Sequence, residues 1–65
     1  MRTEETMRQL IRALVKKGAN EDLIEAVVSI LETDDNFLKM MDELSKVDNP
    51  SETCILGKAM LIAEP

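Results

Sequence analysis

The sequence predicts an all-α fold, a small bundle of four short helices forming one domain over residues 1–65. Three observations predict it. Apolar residues recur at helical spacing through most of the chain. Capping residues, a glycine and a proline interrupt that pattern at intervals suited to short helices. No stretch alternates apolar and polar residues as a half-buried strand would.

The first helix is expected from about residue 4 to residue 17. Met7, Leu10, Ile11, Leu14 and Val15 stand at i, i+3, i+4, i+7 and i+8, the template of an amphipathic helix. Thr3 is placed to cap its start, and Glu4 and Glu5 suit the positive end of the helix dipole. Lys16 and Lys17 suit the last turn, and Gly18 suits the left-handed residue that follows a helix. Gly18-Ala19-Asn20 then leaves a tight connection, which makes the first two helices sequential neighbours, antiparallel or steeply crossed.

Asn20 caps a second helix, expected over 21–32. Glu21, Glu25, Ser29 and Glu32 follow one another at spacings of four, four and three, a narrow polar stripe. Leu23, Ile24, Ala26, Val27, Val28, Ile30 and Leu31 cover nearly all the rest. A helix this apolar should be surrounded by other elements. It is far too short to span a bilayer, so those elements must be protein.

Phe37, Leu38, Met40, Met41, Leu44 and Val47 resume the helical pattern, giving a third helix over about 35–46. The expected break lies near Asp34, because Asp and Asn are poor helix-interior residues. A continuous helix over 21–46 is the alternative. It would preserve the seven-residue series Leu23, Ile30, Phe37, Leu44 and Ile24, Leu31, Leu38. The fourth helix, about 50–62, is signalled by Asn49 as N-cap, Pro50 at the first position and Glu52 at the third. Its apolar arc is wide: Cys54, Ile55, Leu56, Ala59, Met60, Leu61 and Ile62. Gly57 within it either lets another helix approach or is a tolerated surface glycine.

With 65 residues, one aromatic side chain and one cysteine, the chain lacks the usual reinforcements of a very small core. Self-association is the remaining one, and a homodimer is expected. The unpaired Cys54 suits a reducing compartment, and the N-terminus lacks the apolar run of a signal peptide, so a cytoplasmic location is expected. Net charge is −5, unevenly spread. Residues 1–18 carry five basic and two acidic side chains, and residues 19–65 carry three basic and eleven acidic ones. Such asymmetry marks a partner-binding surface or two parts that attract each other.

Chemistry finds little support. The chain has no histidine, tyrosine or tryptophan, which removes the commonest general base and metal ligand. Cys54 sits among apolar neighbours and reads as a buried, inert thiol. Ser29, Ser45 and Ser51 have no base to activate them. Asp34-Asp35-Asn36 fails as a calcium loop, lacking the turn glycine and the acid at the twelfth position. Neither an enzyme nor a cofactor, metal, membrane or small-molecule ligand is expected.

Binding is better supported. Arg8, Arg12 and Lys16, spaced by four, form a basic ridge beside the apolar face of the first helix. The ridge is either a solvated face neutralised by Glu4 and Glu5, or the counterpart of the acidic stripe Glu21, Glu25 and Glu32. That pairing could lie within one subunit or across a dimer. Met40 and Met41 are adjacent and cannot both point inward, so one should face an oligomer or partner interface. The expected function is a small protein–protein interaction or regulatory module. One alternative is a DNA-binding transcriptional regulator using the basic first helix, since Lys17–Glu21 has the look of a helix-turn-helix connection. The acidic residues on the following helix oppose that alternative. Another is an acidic inhibitor covering the basic surface of a nucleic-acid-binding protein.

Overall fold

The structure is a computed structural model that describes residues 4–64. The expected Thr3 cap lies outside that range. Four helices follow one another: α1 (Glu4–Lys16), α2 (Glu21–Leu31), α3 (Asp34–Ser45) and α4 (Glu52–Ala63), with no strand among the described residues. The all-α bundle read from the sequence is the fold.

Each helix boundary has a local cause. At the end of α1 the Gly18 N–H donates to Val15 O and the Ala19 N–H to Leu14 O, both at 3.0 Å. Gly18 takes φ +87°, the left-handed geometry this hydrogen-bonded cap requires. Asn20 begins α2, its side-chain oxygen accepting from the Leu23 N–H at 2.8 Å.

The chain does break between α2 and α3, and the continuous 21–46 helix is not formed. The breaking residues are Glu32 and Thr33 rather than Asp34. Glu32 has φ 66° and closes a three-residue turn in which the Thr33 N–H donates to Leu31 O at 2.8 Å. Thr33 then caps α3 by accepting from the Asn36 N–H at 3.3 Å. The Asn36 side chain in turn donates to Leu31 O at 2.7 Å, so it satisfies a terminal carbonyl of α2. Asp34, expected at the break, is instead the first residue of α3, where its charge suits the helix dipole.

The start of α4 also differs from expectation. Ser51, not Asn49, is the N-cap and accepts from the Cys54 N–H at 3.1 Å. Pro50 and Asn49 lie outside the helix, and Glu52 is its first residue rather than its third. Two overlapping cap signals compete over 49–52, and the serine register prevails. In this register Ile55 and Ala59 reach the core together.

The core consists of Leu10 and Leu14 from α1, Leu23, Val27 and Leu31 from α2, Phe37, Met40 and Leu44 from α3, and Ile55 and Ala59 from α4. No polar or charged residue is buried among the described residues. The packing order is not the chain order. α1 packs chiefly on α3, and α2 chiefly on α4, while α1 and α2 touch only lightly and α1 and α4 do not approach. The two ends are tied together elsewhere. Lys17 Nζ donates to Val47 O, and Asn20 Nδ2 to Glu52 Oε1 at 3.3 Å, which brings the 17–20 and 46–51 connections to one end of the molecule.

α2 is therefore not surrounded, contrary to the sequence expectation. Only Leu23, Val27 and Leu31 are buried. Ile24 and Val28 on one shoulder and Ala26 and Ile30 on the other are half-buried. The shoulder toward α1 is left partly open because those two helices stand apart. Cys54 is half-buried rather than buried, one position off the Ile55–Ala59 line. Gly57 meets nothing within 4 Å of where a side chain would begin, so no helix of this chain approaches through it.

Candidate functional site

The light contact between α1 and α2 leaves a groove. Met7 and Ile11 line one side, Ile24 and Val28 the other, with Glu25 and Ser29 at the edge. The positions follow from helical geometry. On α1, Leu10 and Leu14 face the core, and the row Met7, Ile11, Val15 is one step round the helix, toward solvent. Val15 at the end of that row is 57% exposed. On α2 the core row is Leu23, Val27, Leu31, and Ile24 and Val28 occupy the equivalent shoulder.

Beyond each shoulder lies a row of charge. Arg8, Arg12 and Lys16 succeed the apolar row of α1, and all three are exposed. Glu21, Glu25 and Glu32 succeed the shoulder of α2 and are exposed as well. The groove is thus apolar with Glu25 and Ser29 at its edge, while Arg8 and Arg12 line a separate depression on α1 with Glu4, Glu5 and Gln9. Arg8 Nη2 is held by Glu4 Oε1 at 2.6 Å, which realises part of the neutralisation expected within α1. Arg12, Lys16, Glu21, Glu25 and Glu32 form no ion pair with another described residue. The expected pairing of ridge and stripe within one subunit is accordingly not made.

The methionine pair divides as its adjacency requires. Met40 is fully buried and belongs to the core, so it leaves the set of candidate partner-binding residues. Met41 is half-buried and packs against that core from outside. Further apolar exposure lies at Leu38, Met60 and Leu61, the last of these 71% exposed. Val15 and Leu61 belong to the apolar patterns of their helices, but periodicity reads a helix's own face and not where its neighbour ends.

The remaining charges are structural in reach. Glu43 accepts from Lys46, the residue after α3, at 3.3 Å and faces Lys58 of α4 at 3.8 Å. Lys46 also meets Asp42 at 3.2 Å, and the hydrogen bonds it donates to Asp42 and Glu43 raise its pKa above the ordinary 10.5. No group of three or more His, Cys, Asp or Glu side chains among the described residues could hold a metal ion. No helix among them is long and apolar enough to cross a membrane. Compared with known protein families, curated proteins and solved structures, the chain matches none.

Proposed function

We propose that this protein is a small interaction module without catalytic activity, whose first partner is a second copy of itself. The observation that carries the reading is the apolar groove between α1 and α2, lined by Met7, Ile11, Ile24 and Val28 with Glu25 and Ser29 at its edge. Exposed apolar surface bordered by polar residues is the usual composition of a protein-binding site. The small core supports the same reading, since a helical domain of this size gains stability from association. The single unpaired cysteine suits a reducing, cytoplasmic setting.

The DNA-binding reading draws support from the exposed Arg8, Arg12 and Lys16. It is opposed by the helix that follows the Lys17–Glu21 connection, whose exposed face carries Glu21 and Glu25 toward any phosphate backbone.

Sedimentation equilibrium of the full chain over micromolar to about 100 µM concentrations tests the proposal. A dimer that dissociates on dilution is the expected result. A monomer throughout that range overturns self-association as the function. A parallel titration with duplex DNA at low salt should show no binding, and a steeply salt-dependent affinity would favour the DNA reading instead.

A further inference from the structure

We infer that Glu32–Thr33 is an exchange hinge: when α2 and α3 straighten into one helix, two copies trade halves, and the α1–α2 half of each packs on the α3–α4 half of the other. This dimer is distinct from association through the groove, and neither depends on the other.

The packing of the molecule suits such a trade. The core divides across the hinge, with Leu10, Leu14, Leu23, Val27 and Leu31 before it and Phe37, Met40, Leu44, Ile55 and Ala59 after it. α1 takes its main partner, α3, from across the hinge, and α2 takes α4. Within the first half α1 and α2 touch only lightly. That half therefore leaves its apolar face uncovered without the second, and a second copy can supply the cover as well as the same chain can. The ties across the hinge, Lys17 Nζ to Val47 O and Asn20 Nδ2 to Glu52 Oε1, re-form in the same way between copies. The helix contact given up is that of α2 on α3, the lightest of those between helices.

The hinge itself carries strain that straightening relieves. Glu32 has φ 66° and ψ −38°, a geometry disfavoured for any residue with a side chain. Among the described residues only Gly18 shares its positive φ. Straightening gives up the Thr33 N–H bond to Leu31 O and the bonds that link Thr33, Asn36 and Leu31 through side chains. In their place the N–H groups of residues 33–36 donate to the carbonyls of residues 29–32, the ordinary helical pattern.

The sequence permits either form. No glycine or proline lies between Gly18 and Pro50, and the series Leu23, Ile30, Phe37, Leu44 crosses the hinge at seven-residue spacing. Thr33, Asp34 and Asn36 are poor helix-interior residues and favour the bent form in a single chain. A short connection under strain invites exchange. Trading halves requires the core to open, so it is slow in the folded protein and takes place when chains fold at high concentration.

Refolding from denaturant at about 1 mM chain, against about 10 µM, tests the hinge. Both samples are then diluted to one low concentration and separated at once by size exclusion. The concentrated sample should give a dimer that persists for hours after dilution, and the dilute sample a monomer. Groove association reverses on dilution and leaves no such species, so Val28→Asp should retain the persistent dimer. Asp34→Pro blocks the straight helix, yet proline suits the first position of α3 and the extended backbone of Thr33 before it (φ −116°, ψ 158°). It should lower the yield of persistent dimer at least about tenfold with the helical circular dichroism unchanged. Glu32→Gly relieves the bent turn and should lower the yield in the same direction, whereas Thr33→Ala removes the α3 cap and should raise it. Should Asp34→Pro lose its helical signal, Glu32→Gly alone decides. A concentrated sample without persistent dimer overturns the inference, as does a persistent dimer undiminished by the hinge variants. Absence of the rapidly reversible dimer, with the persistent one retained, overturns the groove and leaves the hinge standing.

Discussion

α2 has two flanks, and they differ. Toward α4 it packs closely, and Asn20 reaches Glu52 across the shared end. Toward α1, its immediate neighbour in sequence, it packs lightly and leaves Ile24 and Val28 half-covered beside Met7 and Ile11. Helices joined by a short connection are commonly each other's main packing partners. Here each takes its main partner from the other half of the chain: α1 from α3, and α2 from α4. The difference separates a flank that completes the fold from one that is available to another molecule.

Substitutions should distinguish the two. Val27 is fully buried between the flanks, and Val27→Glu places an unpaired carboxylate in a core that contains no polar side chain. A loss of about 4 kcal/mol or more is expected, enough to unfold so small a domain, and thermal melting followed by circular dichroism would show it. Val28, one residue on, lies in the groove. Val28→Asp should leave the helical signal nearly unchanged and lower the dimer affinity by about tenfold or more in sedimentation. An unfolded Val28→Asp monomer would show that the two flanks are not distinct.

Smaller effects probe the joints. Thr33→Ala removes the α3 cap and should cost about 1 kcal/mol in urea unfolding. Gly57→Ala should act in the opposite direction. Its added methyl group meets nothing within 4 Å, and replacing a helical glycine with alanine gains about 1 kcal/mol. A destabilised Gly57→Ala in the dimer would mean that a partner helix approaches there, on the α4 side.

The smallest expected effect concerns Lys46. Asp42 and Glu43 hold its folded pKa above the ordinary 10.5, so its stabilising contribution is complete below that pH and fades as pH rises through the folded value. Lys46 is exposed, and salt screens the pairs. A slight fall in melting temperature above pH 10.5, absent from Lys46→Met, is the expected outcome.

These contrasts also show what could be read from the sequence. The periodicity of α1 and the Gly18 and Asn20 caps were legible because they depend on residues within one turn of each other. The break after α2 was legible in kind but displaced by one residue. Its cause is an exchange between Thr33 and Asn36, in which one side chain accepts from α3 while the other donates to α2. Composition marks such a segment as a cap without saying which hydroxyl or amide takes which role. The start of α4 shows the same ambiguity, with Asn49 and Ser51 both able to cap and Ser51 taking the role.

The two charge rows, Arg8–Arg12–Lys16 and Glu21–Glu25–Glu32, were legible, but the groove, which holds only Glu25 of them, was not. A helix that is apolar on most sides implies neighbours on most sides. The sequence does not say which flank the chain itself covers. That depends on the pairing of α1 with α3 and α2 with α4, a long-range choice with no local signature.

The most direct test of the account compares a half-buried apolar position in the groove with an exposed one on α4. Val28→Asp in the groove and Leu61→Asp on α4 should be run side by side with the unaltered chain in sedimentation equilibrium. The account predicts a dimer for the unaltered chain and for Leu61→Asp, and a monomer with intact helices for Val28→Asp. Dissociation by Leu61→Asp with Val28→Asp still dimeric would contradict it and place the partner surface on α4.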